Sequence, residues 1–314
     1  MKRVAFVCSG LLIALLAVVP TATAEPQITL AFNLEPGQTF TVAMVARQDI
    51  DQKVEGQAID IDQTIGITST YEVLDRPSAS GGQWMRMTYV RSQFKQTGPM
   101  GNIDYDSDRP QAEIPMMARG FAGLVNQSLL VEIAPDGEVV KVEGIDALID
   151  KMVNALGLPE GPAKDAARQA TKQQLNPESL KQMMAFSGGV YPGKPVAIGD
   201  TWDDQQSLSG IVPMIIDSTY TLTGFDDDTA SLSVKGQISP QPDAEAFKVD
   251  QTQMMTKMNG TQVGRVVLDR KTGWVLSSEI TQEIQCEMTV RPPQGDPVKI
   301  DMVITGTTSL NVVD

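Results

Sequence analysis

Alternation of apolar and polar side chains is the dominant pattern along this chain. In Phe40-Val42-Met44-Ala46 the apolar positions recur every second residue, interleaved with Thr41, Ala43 and Val45, so both faces begin apolar. Further on, Ile59, Ile61, Ile65, Ile67, Tyr71 and Val73 fall on one face, with Asp60, Asp62, Thr64, Thr68, Thr70 and Glu72 on the other. A period of two predicts strands with one buried face. Glu55-Gly56 lies between the two runs, where a hairpin turn belongs. The same reading puts Leu276, Ile280, Ile284, Cys286, Met288 and Val290 on one inward face, and Val298, Ile300, Met302, Ile304, Leu310 and Val312 on the next. Pro292-Pro293-Gln294-Gly295 breaks the chain between them. These runs are roughly 15 residues long against a usual 5–6. Strands of that length must twist and coil. The expected class is mostly β (α+β): long curved antiparallel sheets, in the manner of a duplicated half-barrel.

The middle of the chain changes period. Ile145, Leu148, Ile149, Met152, Val153 and Leu156 follow the spacing of an amphipathic helix, which Gly157 and Pro159 end. Ala163 to Leu175 reads as a second helix, and Asn176-Pro177 caps a third running to about Phe186. A helical insert near 145–186 is therefore expected. The flanking β regions resemble each other. Gly37-Gln38-Thr39-Phe40 resembles Gly199-Asp200-Thr201-Trp202, Tyr71-Glu72-Val73-Leu74 resembles Tyr220-Thr221-Leu222-Thr223, and Ile133 to Val139 resembles Asp269 to Val275 around a glycine. The order is kept throughout, which predicts one β-rich domain, 25–314, built of two similar units (27–143 and 196–314) joined by helices over 144–187.

The first 24 residues read as a secretory signal peptide: Lys2 and Arg3, an apolar run from Val4 to Val19, then Ala22-Thr23-Ala24. The expected cut lies after Ala24, with export to the periplasm or the extracellular space. The run falls short of the about 20 residues of a stable membrane span. Without Lys2 and Arg3 the 25 basic residues fall to 23 against 39 acidic ones, a net charge of −16. Such a chain is repelled by nucleic-acid phosphates and anionic lipid surfaces. Cys8 precedes most of the apolar run, which is the wrong place for lipid anchoring. That leaves Cys286 alone, on an inward face, as an inert core thiol with no disulfide partner. There is no histidine, so Ser-His-Asp and Cys-His catalysis and His-ligated metals are excluded. No activated nucleophile, catalytic constellation or cofactor motif stands out.

Two groups of residues invite a binding role. Asp104, Asp106 and Asp108 have the opening spacing of a calcium loop, but Arg109 and Pro115 stand where an EF-hand needs Gly and Glu. The choice is between a looser calcium site and a solvated acidic turn. Of the 16 methionines, Met116, Met117, Met152, Met183 and Met184 lie on or near the helical segment. Thioethers fill cores, line adaptable apolar pockets, or bind Cu(I).

Tyr191-Pro192-Gly193-Lys194-Pro195-Val196 leading into Gly199-Asp200-Thr201-Trp202, Tyr105-Asp106-Ser107, and Pro135-Asp136-Gly137-Glu138-Val139 leading into Val142-Glu143-Gly144 resemble a family of uncharacterised secreted bacterial proteins, a domain of unknown function. The resemblance implies an exported β-rich protein with a helical insert and brings no catalytic residues. The plan of long strands plus helices also resembles the half-barrel carriers of lipids and lipoproteins in the bacterial envelope. The expected function is non-enzymatic binding of a lipid or other apolar molecule between sheet and helices. The alternative is a structural or protein-interaction module of the envelope with a filled core.

Overall fold

The computed structural model describes residues 25–99, 101–109, 113–175, 190–208, 212–242, 246–249, 252–292 and 294–313. The signal segment, the third helix and Met183 and Met184 lie outside the described residues. A pair of short strands, β1 (Gln27–Ile28) and β8 (Val196–Ala197), stands apart from one large antiparallel sheet. Its strands are β2 (Thr39–Val54), β3 (Gln57–Leu74), β4 (Gln83–Thr97), β5 (Ile103–Asp106), β6 (Ser128–Ile133), β7 (Val139–Glu143), β9 (Thr201–Leu208), β10 (Met214–Phe225), β11 (Thr229–Pro240), β12 (Ala246–Val249), β13 (Thr252–Asp269), β14 (Val275–Arg291) and β15 (Val298–Val313). The helices are α1 (Arg119–Ala122), α2 (Ile145–Ala155) and α3 (Pro162–Gln174).

Across the sheet the order is β7-β6-β4-β3-β2-β15-β14-β13-β11-β10-β9, with β5 on β4 and β12 on β13. The order β7-β6-β4-β3-β2 is matched in the same sense by β14-β13-β11-β10-β9, with β15 between the two runs. The sheet is open, ending at β7 and β9.

Local chemistry explains the strands. Glu55 and Gly56 make the β2–β3 turn with φ of 50° and 84°, the left-handed pair of a two-residue hairpin. Even positions of β2 and odd positions of β3 then share the concave face, as the alternation requires. The opposite face carries Arg47, Asp49, Asp51, Asp60 and Asp62, so water lies on that side. Bulges reset this parity, among them one between Thr68 and Ser69 opposite β4 and a second between Val267 and Leu268 opposite β14. The second corrects the reading of β14. Ser277 pairs with Val267 and Val275 with Leu268, so Val275 rather than Leu276 joins Ser278 on the concave face.

The core lies on that face under two different covers. Ile28, Leu30, Phe32 and Leu34 form an extended strap, each at most 5% exposed. The strap bridges equivalent turns of the two runs: the Phe32 amide donates to the Pro135 carbonyl and the Asn33 amide to the Thr272 carbonyl. Over the first run sits α2, with Leu148, Ile149 and Val153 buried and its end closed at Gly157, φ 70°. The second helix begins at Pro162, a residue suited to a first helical turn.

Candidate functional site

Beneath α2 the concave face is not filled. A partly open cavity of about 450 Å³ remains, within the range of roughly 300–1,000 Å³ typical of small-molecule sites. The floor comes from alternate residues of three adjacent strands: Val42, Met44 and Ala46; Ile65, Ile67, Ser69 and Tyr71; Met87 and Tyr89. Phe121, Leu124, Leu148, Met152 and Leu175 cover it, with Ile133 and Tyr191 at its margin. The other wall is Trp274, Val275, Ser278 and Leu310. None of these residues is charged.

The polar groups at the wall are few. The Tyr191 hydroxyl donates to the Gly273 carbonyl at 2.8 Å. Burial pushes the Tyr89 phenol up to about 12, and burial followed by the nearby Tyr89 phenol pushes Tyr71 higher still, so both stay protonated as donors. Trp274 is wedged between Phe40 (4.7 Å between ring centres), Tyr71 (5.3 Å) and Phe32 (6.1 Å). Its Nε1 is buried without an acceptor.

The cavity stops one residue row below a polar belt. Asp204, Ser218, Gly236, Gln262, Gln282, Gly306, Gln48, Gln63 and Gln96 stand directly opposite one another across nine strands. Gln262 donates to the Ser218 hydroxyl (2.8 Å) and Gln282 to the Gln262 side-chain carbonyl (3.0 Å), so these three belt residues are joined in a chain. Beyond it the next row turns apolar: Ile216, Ile238, Gly260, Ile284, Ile304, Ile50 and Ile61. Buried Ile216, Ile238, Met258 and Ile284 form a second small core there.

Of the methionines singled out from the sequence, Met152 lines the cavity. Met116 and Met117 do not. They sit in a short 3₁₀ turn, 73% and 45% exposed, in which Ala118 is the buried residue. Met44 and Met87 take the lining role, as the alternation of their strands could have indicated. Trp274 was hidden as the residue after a turn glycine. Asp104, Asp106 and Asp108 face cations. Arg91 makes two bonds to Asp106 (3.0 and 2.7 Å), joined by the Gln93 amide at 2.8 Å. Arg109 pairs with Asp104 at 2.5 Å and Arg91 with Asp108 at 3.1 Å. Hydrogen bonding to Arg91 holds the Asp106 carboxyl well below the usual range. No group of three His, Cys, Asp or Glu side chains converges on a metal site among the described residues. Cys286 is a buried free thiol, pushed up by burial.

These features define an open, coiled antiparallel sheet with an apolar chamber under a helical cover. The sequence pattern of a family described as a family of unknown function (DUF6263) matches residues 82–275, and the chain belongs to that family. No curated protein matches it. Among solved structures it is similar to lipovitellin, in a structure titled for lipid–protein interactions, at 9% identity and a TM-score of 0.46, covering 89% of this chain and 25% of that one. It is also similar to the COG4313 outer membrane channel of Pseudomonas putida F1 (8%, TM-score 0.24, 90% and 97% covered) and to Pseudomonas aeruginosa OpdL (8%, 0.25, 88% and 99%). Likenesses this slight carry no argument. No described helix is long and apolar enough to cross a membrane.

Proposed function

We propose that this protein is an exported, non-enzymatic carrier that holds one apolar molecule in the chamber between its sheet and α2. The observation that carries the reading is an uncharged chamber of about 450 Å³ in a chain whose opposite sheet face is acidic. A ligand that loses about 300 Å² of apolar surface gains about 7 kcal/mol at 25 cal/mol per Å², before the costs of immobilisation. A hydrogen bond adds about 1 kcal/mol, so buried area sets the affinity and polar groups set the orientation. Export rests on the leader and its Ala22-Thr23-Ala24 ending. It is tested by sequencing the N-terminus of protein from the cell envelope, with Glu25 expected first.

Binding is tested with a neutral fluorescent probe, N-phenyl-1-naphthylamine, on the purified protein. Saturable binding is expected in the parent, and Met152→Trp should weaken it while leaving the melting temperature unchanged, because the added ring enters empty space. No probe binding in the parent, together with a Met152→Trp variant that melts lower, favours a structural module with a filled core.

A further inference from the structure

We propose that the Ser69 hydroxyl is the polar anchor of the chamber, and that the molecule it receives is a rigid fused-ring compound carrying one uncharged hydroxyl, not a flexible acyl chain. The inference rests on the carrier reading and specifies its ligand.

Along the inward row of β3 the residues read Ile65, Ile67, Ser69, Tyr71 and Val73, so a small polar side chain interrupts an apolar face. Ser69 lines the chamber and is 4% exposed. A buried hydroxyl without a partner is destabilising. The other two buried serines among the described residues avoid that penalty. Ser92 donates to the Phe121 carbonyl at 2.9 Å, and Ser218 accepts from Gln262. Ser69 differs: among the described residues nothing bonds its hydroxyl. Nor is that oxygen sealed in protein as the Trp274 nitrogen is. It faces the empty space of the chamber, where it can donate one hydrogen bond and accept others. A ligand hydroxyl matches both roles. A charged group does not fit, since no described residue lining the chamber carries a charge to pair with it.

Shape and wall chemistry decide the body of the ligand. The strands that line the chamber, β4, β3, β2, β15 and β14, are consecutive in the sheet. Four gaps between five strands make it about 19 Å wide along the sheet. Ile65 to Tyr71 spans about 20 Å along the strand. The space is therefore nearly as broad as it is long. A single acyl chain is a thread that leaves most of such a floor uncovered, whereas a fused-ring plate covers it. Five of the lining side chains are aromatic, Tyr71, Tyr89, Phe121, Tyr191 and Trp274, in a chain that is only 5% aromatic. Flat rings offer faces and edges against which a plate packs. A rigid plate also loses little conformational freedom on entry, whereas an acyl chain loses rotation at each bond that is immobilised.

The test is displacement of N-phenyl-1-naphthylamine from the full chain by three competitors: the fused-ring alcohol androstanol, its parent hydrocarbon androstane, and the flexible alcohol hexadecanol. Androstanol is expected to bind roughly fivefold more tightly than androstane, the scale of one neutral hydrogen bond. It should also bind more tightly than hexadecanol. In Ser69→Ala the affinity ratio of androstanol to androstane should fall to about one. The melting temperature of the ligand-free variant should not fall, because no protein hydrogen bond is removed. A serine with a merely structural role would lower it. Equal binding of androstanol and androstane by the parent, hexadecanol binding as tight as androstanol, a preference that survives Ser69→Ala, or a lower melting temperature in that variant overturns the inference and leaves the carrier reading standing. So does probe binding that none of the three competitors displaces. Failure of the probe and of all three compounds to bind overturns the carrier reading itself.

Discussion

The two matching runs of strands share an order but not an interior. The run from β2 to β7 lies beneath a helix and keeps a cavity. The run from β9 to β14 lies against the extended strap and is closely packed, with Leu222, Ala230 and Leu268 fully buried, and only Val275 and Ser278 of its β14 edge reach the cavity wall. The difference follows from what each cover can reach. An extended strap presents its side chains close to the sheet and fills the space under it. A helix is about 10–12 Å across with its side chains and holds its axis off the sheet. Close approach of strands also fills part of the second run. A Cβ at Gly264 would lie 2.4 Å from the Glu279 carbonyl oxygen and 2.5 Å from Ile280 Cδ1, so the isoleucine occupies the space left by the missing side chain. Similar topology thus yields a chamber on one side and a packed core on the other.

The harshest test charges the helical cover. Ile149 is 2% exposed, and Ile149→Asp should cost about 4 kcal/mol by burying an unpaired carboxylate. The expectation is a single, lower melting transition of the whole protein. An unchanged melting temperature would detach α2 from the fold and end the comparison.

Next in size is a matched pair of truncations. Leu232→Ala, in the closely packed run, should cost about 3 kcal/mol, since a fully packed leucine leaves a new void. Met44→Ala, facing the existing chamber, should cost about 1 kcal/mol, because fewer contacts are lost. Denaturant midpoints compare the two. Equal losses would mean that the chamber is filled in solution.

How much of this was legible beforehand depends on the range of the cause. The faces of β2, β3 and β15, the Glu55-Gly56 turn and the stripe of α2 follow from neighbours within a few residues, and periodicity exposes them. The belt through Gln48, Gln63, Gln96, Gln262 and Gln282 is invisible in that way. Each glutamine looks like an isolated polar lapse on an inward face until the strand offsets align them. Val275 and Trp274 depend on a bulge and on a strap arriving from residues 30–33, contacts that span most of the chain. Met116 and Met117 failed as lining because proximity in sequence to a helix does not say which way a short turn faces.

Two aspartates, one in each run, sharpen the comparison at smaller scale. Asp106 is buried on Arg91 and Gln93, with its folded pKa depressed. Its contribution is complete above the ordinary carboxylate pKa of about 3.9 and is lost as pH falls from there toward the folded value. Asp106→Asn should cost about 2 kcal/mol at pH 7, the partial exposure of Arg91 keeping it below a fully buried pair. It should also flatten the loss of stability between pH 5 and 2, both read from urea melts. A variant that keeps the parent's acid limb would assign that limb to other carboxylates.

Asp204 has the opposite sign. It points inward from the edge strand β9, its Oδ2 is buried without a partner, and desolvation raises its folded pKa despite a hydrogen bond from Gln206. At pH values below the ordinary carboxylate range both states are protonated, and the residue costs nothing. As pH rises from about 3.9 the unfolded chain ionises first, and the penalty grows until the raised folded value is passed. Above that it is constant. Asp204→Asn should therefore stabilise the protein at pH 7 by about 0.5 kcal/mol, a figure kept small because the site is only partly buried and solvent screens it. The gain should vanish at pH 3, where the parent is protonated too. An inward charge on an edge strand also blocks pairing with a further strand, so the variant should associate more readily in sedimentation at high concentration. A variant that is less stable than the parent at pH 7 would show that the carboxylate contributes more through its bond with Gln206 than it loses to burial.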